Sequence, residues 1–148
     1  MLSRTETAYP IIVDYFKSIE QLKTDGGYNA YASSEITSAN FPHQDSGMKN
    51  IRAVLVHFDR RVSNEEALDE LDKLGLRAAT MAELLAFGAK YRDVQRDFPI
   101  IALGSARTHR TGLRHVGCLG HAASKRSIGL DWFGSGWSSY CRFLAAPK

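Results

Sequence analysis

After Ser105 the helical spacing of apolar residues stops. From Ala106 to Lys148, short apolar pairs are separated by Gly, Ser, Thr, His and Arg, and no segment repeats apolar residues three and four apart. That texture restricts the last third of the chain to strands and turns. Its clearest element is Ser127–Phe133, where Ile128, Leu130 and Trp132 alternate with Ser127, Gly129, Asp131 and Phe133 at the period of a half-buried strand. Gly134-Ser135-Gly136 then turns the chain, and Trp137 to Leu144 reads as a closing strand.

Upstream the signals are mixed. Ser63 with Glu66, and Thr80 with Glu83, are two capping boxes, each opening a helix. Ala67, Leu68, Leu71 and Leu74 form the stripe of the first, which Gly75 ends; Met81, Leu84, Leu85 and Phe87 form the buried side of the second. Ile51–Phe58 and Phe98–Leu103 have the length and β-branched content of buried strands, and His57 reads as a satisfied strand histidine. Residues 10–23 place Ile12, Phe16, Ile19 and Leu22 at helical spacing, which predicts a helix, with a strand over Ile11–Phe16 as the alternative. Residues 28–50 read as a long connection packed on the domain, because Tyr28, Tyr31, Ile36 and Phe41 need burial. Strand, helix, helix and several short strands make a single α+β domain over residues 1–148.

The 148 residues can bury a core unaided, and 44% hydrophobic with 24% charged residues excludes a disordered chain. No apolar run reaches the roughly 18 residues of a membrane span, so no membrane insertion is expected. The N-terminus has a charge pair where a signal peptide has its apolar stretch, which leaves a cytoplasmic protein or one displayed through a partner. Cys118 and Cys141 allow at most one disulfide. The net charge of +3 is unevenly divided: residues 104–148 hold seven basic residues and one acid, Asp131.

No Gly-Lys-Ser/Thr follows Gly104-Ser105, which excludes a phosphate loop, and no Gly-x-Ser-x-Gly elbow exists. The spacing of His109, His115, His121, Cys118 and Cys141 matches no compact zinc pattern. No catalysis, cofactor or metal is expected. One bias stands out. Residues 106–142 contain no Glu, Gln or Met and a single Lys, whereas residues 1–105 contain 18 residues of these four types. The missing types are those not reached by replacing the adenines of an asparagine codon; the types reached by it fill the segment.

On these residues the last third resembles the variable region of a diversity-generating retroelement target protein. The likeness is carried by Ile101-Ala102-Leu103-Gly104-Ser105, by Ile128-Gly129-Leu130-Asp131-Trp132-Phe133, by Trp137, and by Arg142-Phe143-Leu144-Ala145. It implies a C-type lectin fold of the formylglycine-generating-enzyme-like branch, here an α+β fold with two helices and a short-stranded antiparallel sheet. It also implies a surface, residues 106–142, whose codons a reverse transcriptase randomises. The chain departs from sugar-binding C-type lectins, lacking Glu-Pro-Asn, Gln-Pro-Asp, Trp-Asn-Asp and the framework disulfides, and from the formylglycine-generating enzymes, lacking two cysteines close together near the C-terminus.

Variation is tolerated only where a side chain faces solvent, because each misplaced polar group in a core costs roughly 1–3 kcal/mol. The alternation in Ser127–Phe133 provides this, with Ile128, Leu130 and Trp132 as anchors. The expected ligand contacts are therefore Arg107, Thr108, His109 and Arg110; then Leu113, His115, Cys118, Gly120 and His121; then Ser127, Gly129, Asp131 and Phe133; and finally Ser138, Ser139, Tyr140 and Cys141. The expected partner is a macromolecule, a protein in the first instance. Two rival readings stay open: a formylglycine-generating-like oxidase and a basic nucleic-acid-binding domain.

Overall fold

The computed structural model describes residues 5–28, 31–108, 112, 114–123, 125–133 and 136–148, including all their side chains except those of 5–7 and 133. In chain order the elements are β1 (Thr5–Asp14), α1 (Ile19–Asp25), β2 (Tyr31–Ala32), β3 (Met48–His57), α2 (Asn64–Lys73), β4 (Leu76–Ala78), α3 (Met81–Lys90), β5 (Ile100–Thr108), β6 (Arg114–Ala122), β7 (Lys125–Phe133) and β8 (Arg142–Pro147). A 3-10 turn, Val94–Arg96, precedes β5.

The run Phe98–Leu103 explains the layering. As a strand it sends Ile100 and Ala102 to one side and Ile101 and Leu103 to the other, and all four are buried. A strand apolar on both faces needs a layer against each. The same division recurs in β3, with Ala53 and Leu55 opposite Val54 and Val56, and in β8, with Leu144 opposite Phe143 and Ala145. One apolar cluster gathers these strands with α1 and α3, the other with α2. The strands form one eight-stranded sheet in the order β1-β3-β8-β5-β6-β7-β2, with β4 on β8. β5 and β8 run parallel, as do β2 and β7; the other pairs are antiparallel.

This overturns the expected fold class, an α+β C-type lectin-like fold with two helices and a short-stranded antiparallel sheet. Among the described residues strand accounts for 43% against 23% helix, the sheet is mixed, and there are three helices. Much of the difference lies in residues 5–25. The spacing of Ile12, Phe16, Ile19 and Leu22 suits a helix, but Ile11 and Val13 are buried while Ile12 is 56% exposed, which is a strand's period. The helix is confined to Ile19–Asp25, capped by Ser18 and Gln21. Pro10 is tolerated because β1 is an edge strand. Its carbonyl accepts hydrogen bonds from Lys90 Nζ (2.8 Å) and Tyr91 Oη (2.7 Å), which helps to close that edge to further pairing.

Both capping boxes form as read, at Ser63–Glu66 and Thr80–Glu83. Glu83 is buried, and Arg77 holds its carboxylate bidentately at 2.8 and 2.7 Å. The α3 stripe is buried as its spacing predicts, whereas Leu68 on α2 turns to solvent. Of the aromatic and apolar residues in the connection, Ile36 and Phe41 are buried and Tyr28 half-buried, but Tyr31 is exposed. His57 donates through Nε2–H to the Ser139 carbonyl oxygen (2.8 Å). The closing strand begins later than expected. Trp137 makes only an isolated bridge with Val62, and its indole Nε1–H donates to Asn64 Oδ1 (2.6 Å) at the start of α2.

Candidate functional site

Strands β6 and β7 form the outer wing of the sheet, and the wing has two unlike faces. On one, Leu119 and Ile128 are fully buried under α3 and its surroundings, with Leu130 packed beside them. Gly117 belongs to this face: a Cβ there would stand 2.7 Å from Met81 Cε and 2.8 Å from Leu84 Cδ2, so a side chain would have to push the tips of these two buried residues aside. The turn after α3 supports the same wing, since buried Gln95 donates through Nε2 to the Gly120 carbonyl (2.7 Å) and the Ser127 carbonyl (2.8 Å).

The other face carries Cys118 and Gly120 from β6 and Ser127, Gly129 and Asp131 from β7, in the register Cys118↔Gly129 and Gly120↔Ser127. α2 covers this side of the sheet only as far as the second apolar cluster reaches. Beyond it the segment Gly136–Cys141 and Arg61 come close without filling the space, which leaves a cavity of about 500 Å³. Ile101, Pro99 and Trp137 give it apolar walls; Ser127, Ser138 and Asp131 give it oxygens. Both thiols line it. Burial pushes the Cys118 thiol up to about 12, and the negative charges of Asp131 and of an ionised Cys141 act in the same direction. Cys118 is therefore a protonated, unreactive thiol at neutral pH.

The expected contacts divide among these places. Cys118, Gly120, His121, Ser127, Asp131, Ser138 and Cys141 meet around the cavity, and Gly129 shares its face. Cys141 is buried, 8% exposed, rather than a surface side chain, and its thiol lies 3.6 Å from Ser138 Oγ. Thr108 and Tyr140 are exposed away from the cavity; Ser139 serves through its carbonyl as the partner of His57. Arg107 donates to Glu35 Oε1 (2.9 Å) and lies 3.3 Å from His115 Nε2. His115 is buried at 3% exposure, contrary to expectation, because Trp132 stacks on it with ring centroids 5.3 Å apart. Trp132 itself is 49% exposed and not an anchor of the core. His109, Arg110 and Leu113 lie outside the described residues, as does the side chain of Phe133.

Sequence reasoning missed Arg126, Gln95, Arg61 and Pro99. Arg126 is 3% exposed; its guanidinium donates to the carbonyls of Gly26 and Gly88 (2.5 Å for the latter) and to Gln95 Oε1 (3.2 Å), and sits 4.7 Å over the Tyr28 ring. Its parity with Ile128 and Leu130 was the available signal. The basic excess of this region is largely engaged. Besides Arg126, Arg107 pairs with Glu35, Lys148 with Asp72, and Arg142 lies 4.0 Å over the Phe98 ring.

Among the described residues no group of three or more His, Cys, Asp or Glu could hold a metal ion, and no helix is long and apolar enough to cross a membrane. Compared with family models, with curated proteins and with solved structures, the chain matches none of them.

Proposed function

We propose that the chain is a non-catalytic binding protein whose surface within residues 106–142 is diversified by a retroelement and recognises variable macromolecular ligands, proteins first among them. One observation carries the reading. The two faces of the β6–β7 wing differ in the way a diversified scaffold requires: the open face holds small and polar residues at Gly120, Ser127, Gly129 and Asp131, while the opposite face is locked by Leu119, Ile128 and α3. Substitution on the first face changes what is presented; substitution on the second costs packing. The residue types of the open face are those reached from an asparagine codon by replacing its adenines.

The test is at the level of the gene. Sequencing the locus and its flanks from many isolates is expected to find a reverse transcriptase gene and an adenine-rich near-repeat of the segment encoding residues 106–142. Codon differences should fall at open-face positions such as 120, 127, 129 and 131 and spare 117, 119, 126 and 128. A locus without such a repeat, with differences spread over both faces, would overturn the reading.

The two thiols in one cavity are the observation that favours a formylglycine-generating-like oxidase as a second reading. Against it, an oxidase of this kind uses thiolate, and the surroundings of Cys118 hold it protonated. Tight stoichiometric copper(I) binding, lost in Cys118→Ser, would revive it. The nucleic-acid reading is weakened by the engagement of Arg107, Arg126, Arg142 and Lys148 in contacts within the chain.

A further inference from the structure

We propose that the cavity beside β6 and β7 is an anchor pocket for a neutral aromatic side chain with a polar tip, a tyrosine presented by a protein ligand, and that Gly120 sets its depth. This rests on the binding function proposed above and names the class of group the site takes.

Three features point to that occupant. The first is size: about 500 Å³ lies within the roughly 300–1,000 Å³ of clefts that enclose small ligands, which leaves room for an aromatic side chain and part of the backbone that carries it. The second is the distribution of polarity. Ile101 is fully buried beneath the cavity and Trp137 is 4% exposed, so the depth is apolar and rigid; the hydroxyls of Ser127 and Ser138 supply hydrogen-bonding groups alongside. An aromatic ring with a hydroxyl at its end satisfies both zones, and buried anchors of this type dominate the energetics of protein interfaces. The third is charge. The cavity is lined by one carboxylate, Asp131, one guanidinium, Arg61, and the imidazole of His121, whose Nδ1 is engaged with the Ala123 carbonyl (3.0 Å). The charges of Asp131 and Arg61 are of opposite sign, so a fixed cation or anion gains little net attraction from the pair, and desolvating its head against Ile101 and Trp137 is costly.

Gly120 explains why the space exists. A Cβ built at Gly120 meets only Ser127 Oγ, at 3.6 Å, which is ordinary contact, and its backbone is not in the left-handed region. Gly117, three residues earlier, has no such freedom. A Cβ is therefore accommodated at 120, and because Gly120 lines the cavity a side chain grown from it takes volume from that space. Under diversification, position 120 would choose between a deep pocket and a flat surface.

The experiment is a titration of the full chain, labelled with nitrogen-15, with N-acetyltyrosinamide, N-acetylphenylalaninamide, N-acetylargininamide and N-acetylaspartamide. N-acetyltyrosinamide should shift the amides of Ile101, Cys118 and Ser138 with millimolar affinity. The phenylalanine probe should bind severalfold more weakly, and the two charged probes at least tenfold more weakly. Gly120→Phe should reduce the tyrosine probe's affinity at least tenfold with the melting temperature held within a few degrees; Gly120→Val, a milder filling, should reduce it severalfold. Ile12→Ser, which removes an exposed apolar side chain on β1, should change nothing. Charged probes binding as tightly as the tyrosine probe, shifts gathered around Ile12, or affinity insensitive to both Gly120 variants would each overturn the proposal. The gene survey separates the two failures. Open-face codons that vary in a chain indifferent to the tyrosine probe remove only this inference, whereas invariant codons remove the diversification and leave the pocket standing.

Discussion

Replacing Arg126 with methionine keeps an unbranched apolar stem and removes the guanidinium from the middle of the proposed variable segment. The structure makes the cost specific. Arg126 donates to the Gly26 carbonyl at the C-terminal cap of α1, to the Gly88 carbonyl in α3 and to Gln95, and it covers the Tyr28 ring. Two carbonyls that lose a donor in a buried setting cost about 1–3 kcal/mol each. The contact with Tyr28 adds about 1–2 kcal/mol for a desolvated cation over an aromatic face. Opposing these is relief from holding a guanidinium out of water, worth several kcal/mol for a buried ion. The balance is a loss of about 3 kcal/mol, which for a chain of this size lowers the melting temperature by roughly 6–12 °C. Arg126→Lys keeps the charge but cannot span both carbonyls, and should lose about 2 kcal/mol. Urea unfolding of the three proteins, followed by tryptophan fluorescence, measures these differences. Because Gln95 also holds the carbonyls of Gly120 and Ser127, amide exchange at the edge of the cavity should quicken in Arg126→Met. A loss below 1 kcal/mol for methionine, or a lysine variant as damaged as methionine, would refute the assignment of Arg126 as the clasp between β7, α1 and α3.

The remaining expectations concern the same strands. Ile128→Ala should cost about 2–5 kcal/mol, Trp132→Ala only about 1–2 because the ring is half-exposed, and Asp131→Tyr within about 0.5, as thermal melts would register. With its thiol held up near 12, Cys118 should react with iodoacetamide at pH 8 roughly a thousandfold more slowly than a free thiol, followed by mass spectrometry of the labelled peptide. The same shift has a sign for stability. The folded thiol keeps its proton where the unfolded one ionises, so its contribution is intact below about pH 8.5 and is lost as pH rises toward about 12. A chelator should leave the melting temperature unchanged, since Asp131 is the only carboxylate in residues 104–148 and cannot alone neutralise a calcium ion.

What the sequence determined by itself is local. The capping boxes at Ser63 and Thr80 are readable because cap and partner lie three residues apart and close their hydrogen bonds without help from the rest of the chain. The period of two in Ser127–Phe133 assigns Ser127, Gly129 and Asp131 to one face and Ile128 to the other for the same reason. Periodicity names a face but not what covers it, and that was decided by the tertiary structure. Arg126, Ile128 and Trp132 share a parity, yet Arg126 is buried by carbonyls brought from α1 and α3, Ile128 lies within the apolar cluster, and Trp132 stands half-exposed against His115. The cavity is decided the same way. Pro99 and Ile101, Cys118, Ser127, and Trp137 to Cys141 come from separate segments. They meet only because β8 enters the sheet between β3 and β5, and that order follows from burying two opposite apolar faces at once, a condition met by the whole chain and by no segment of it.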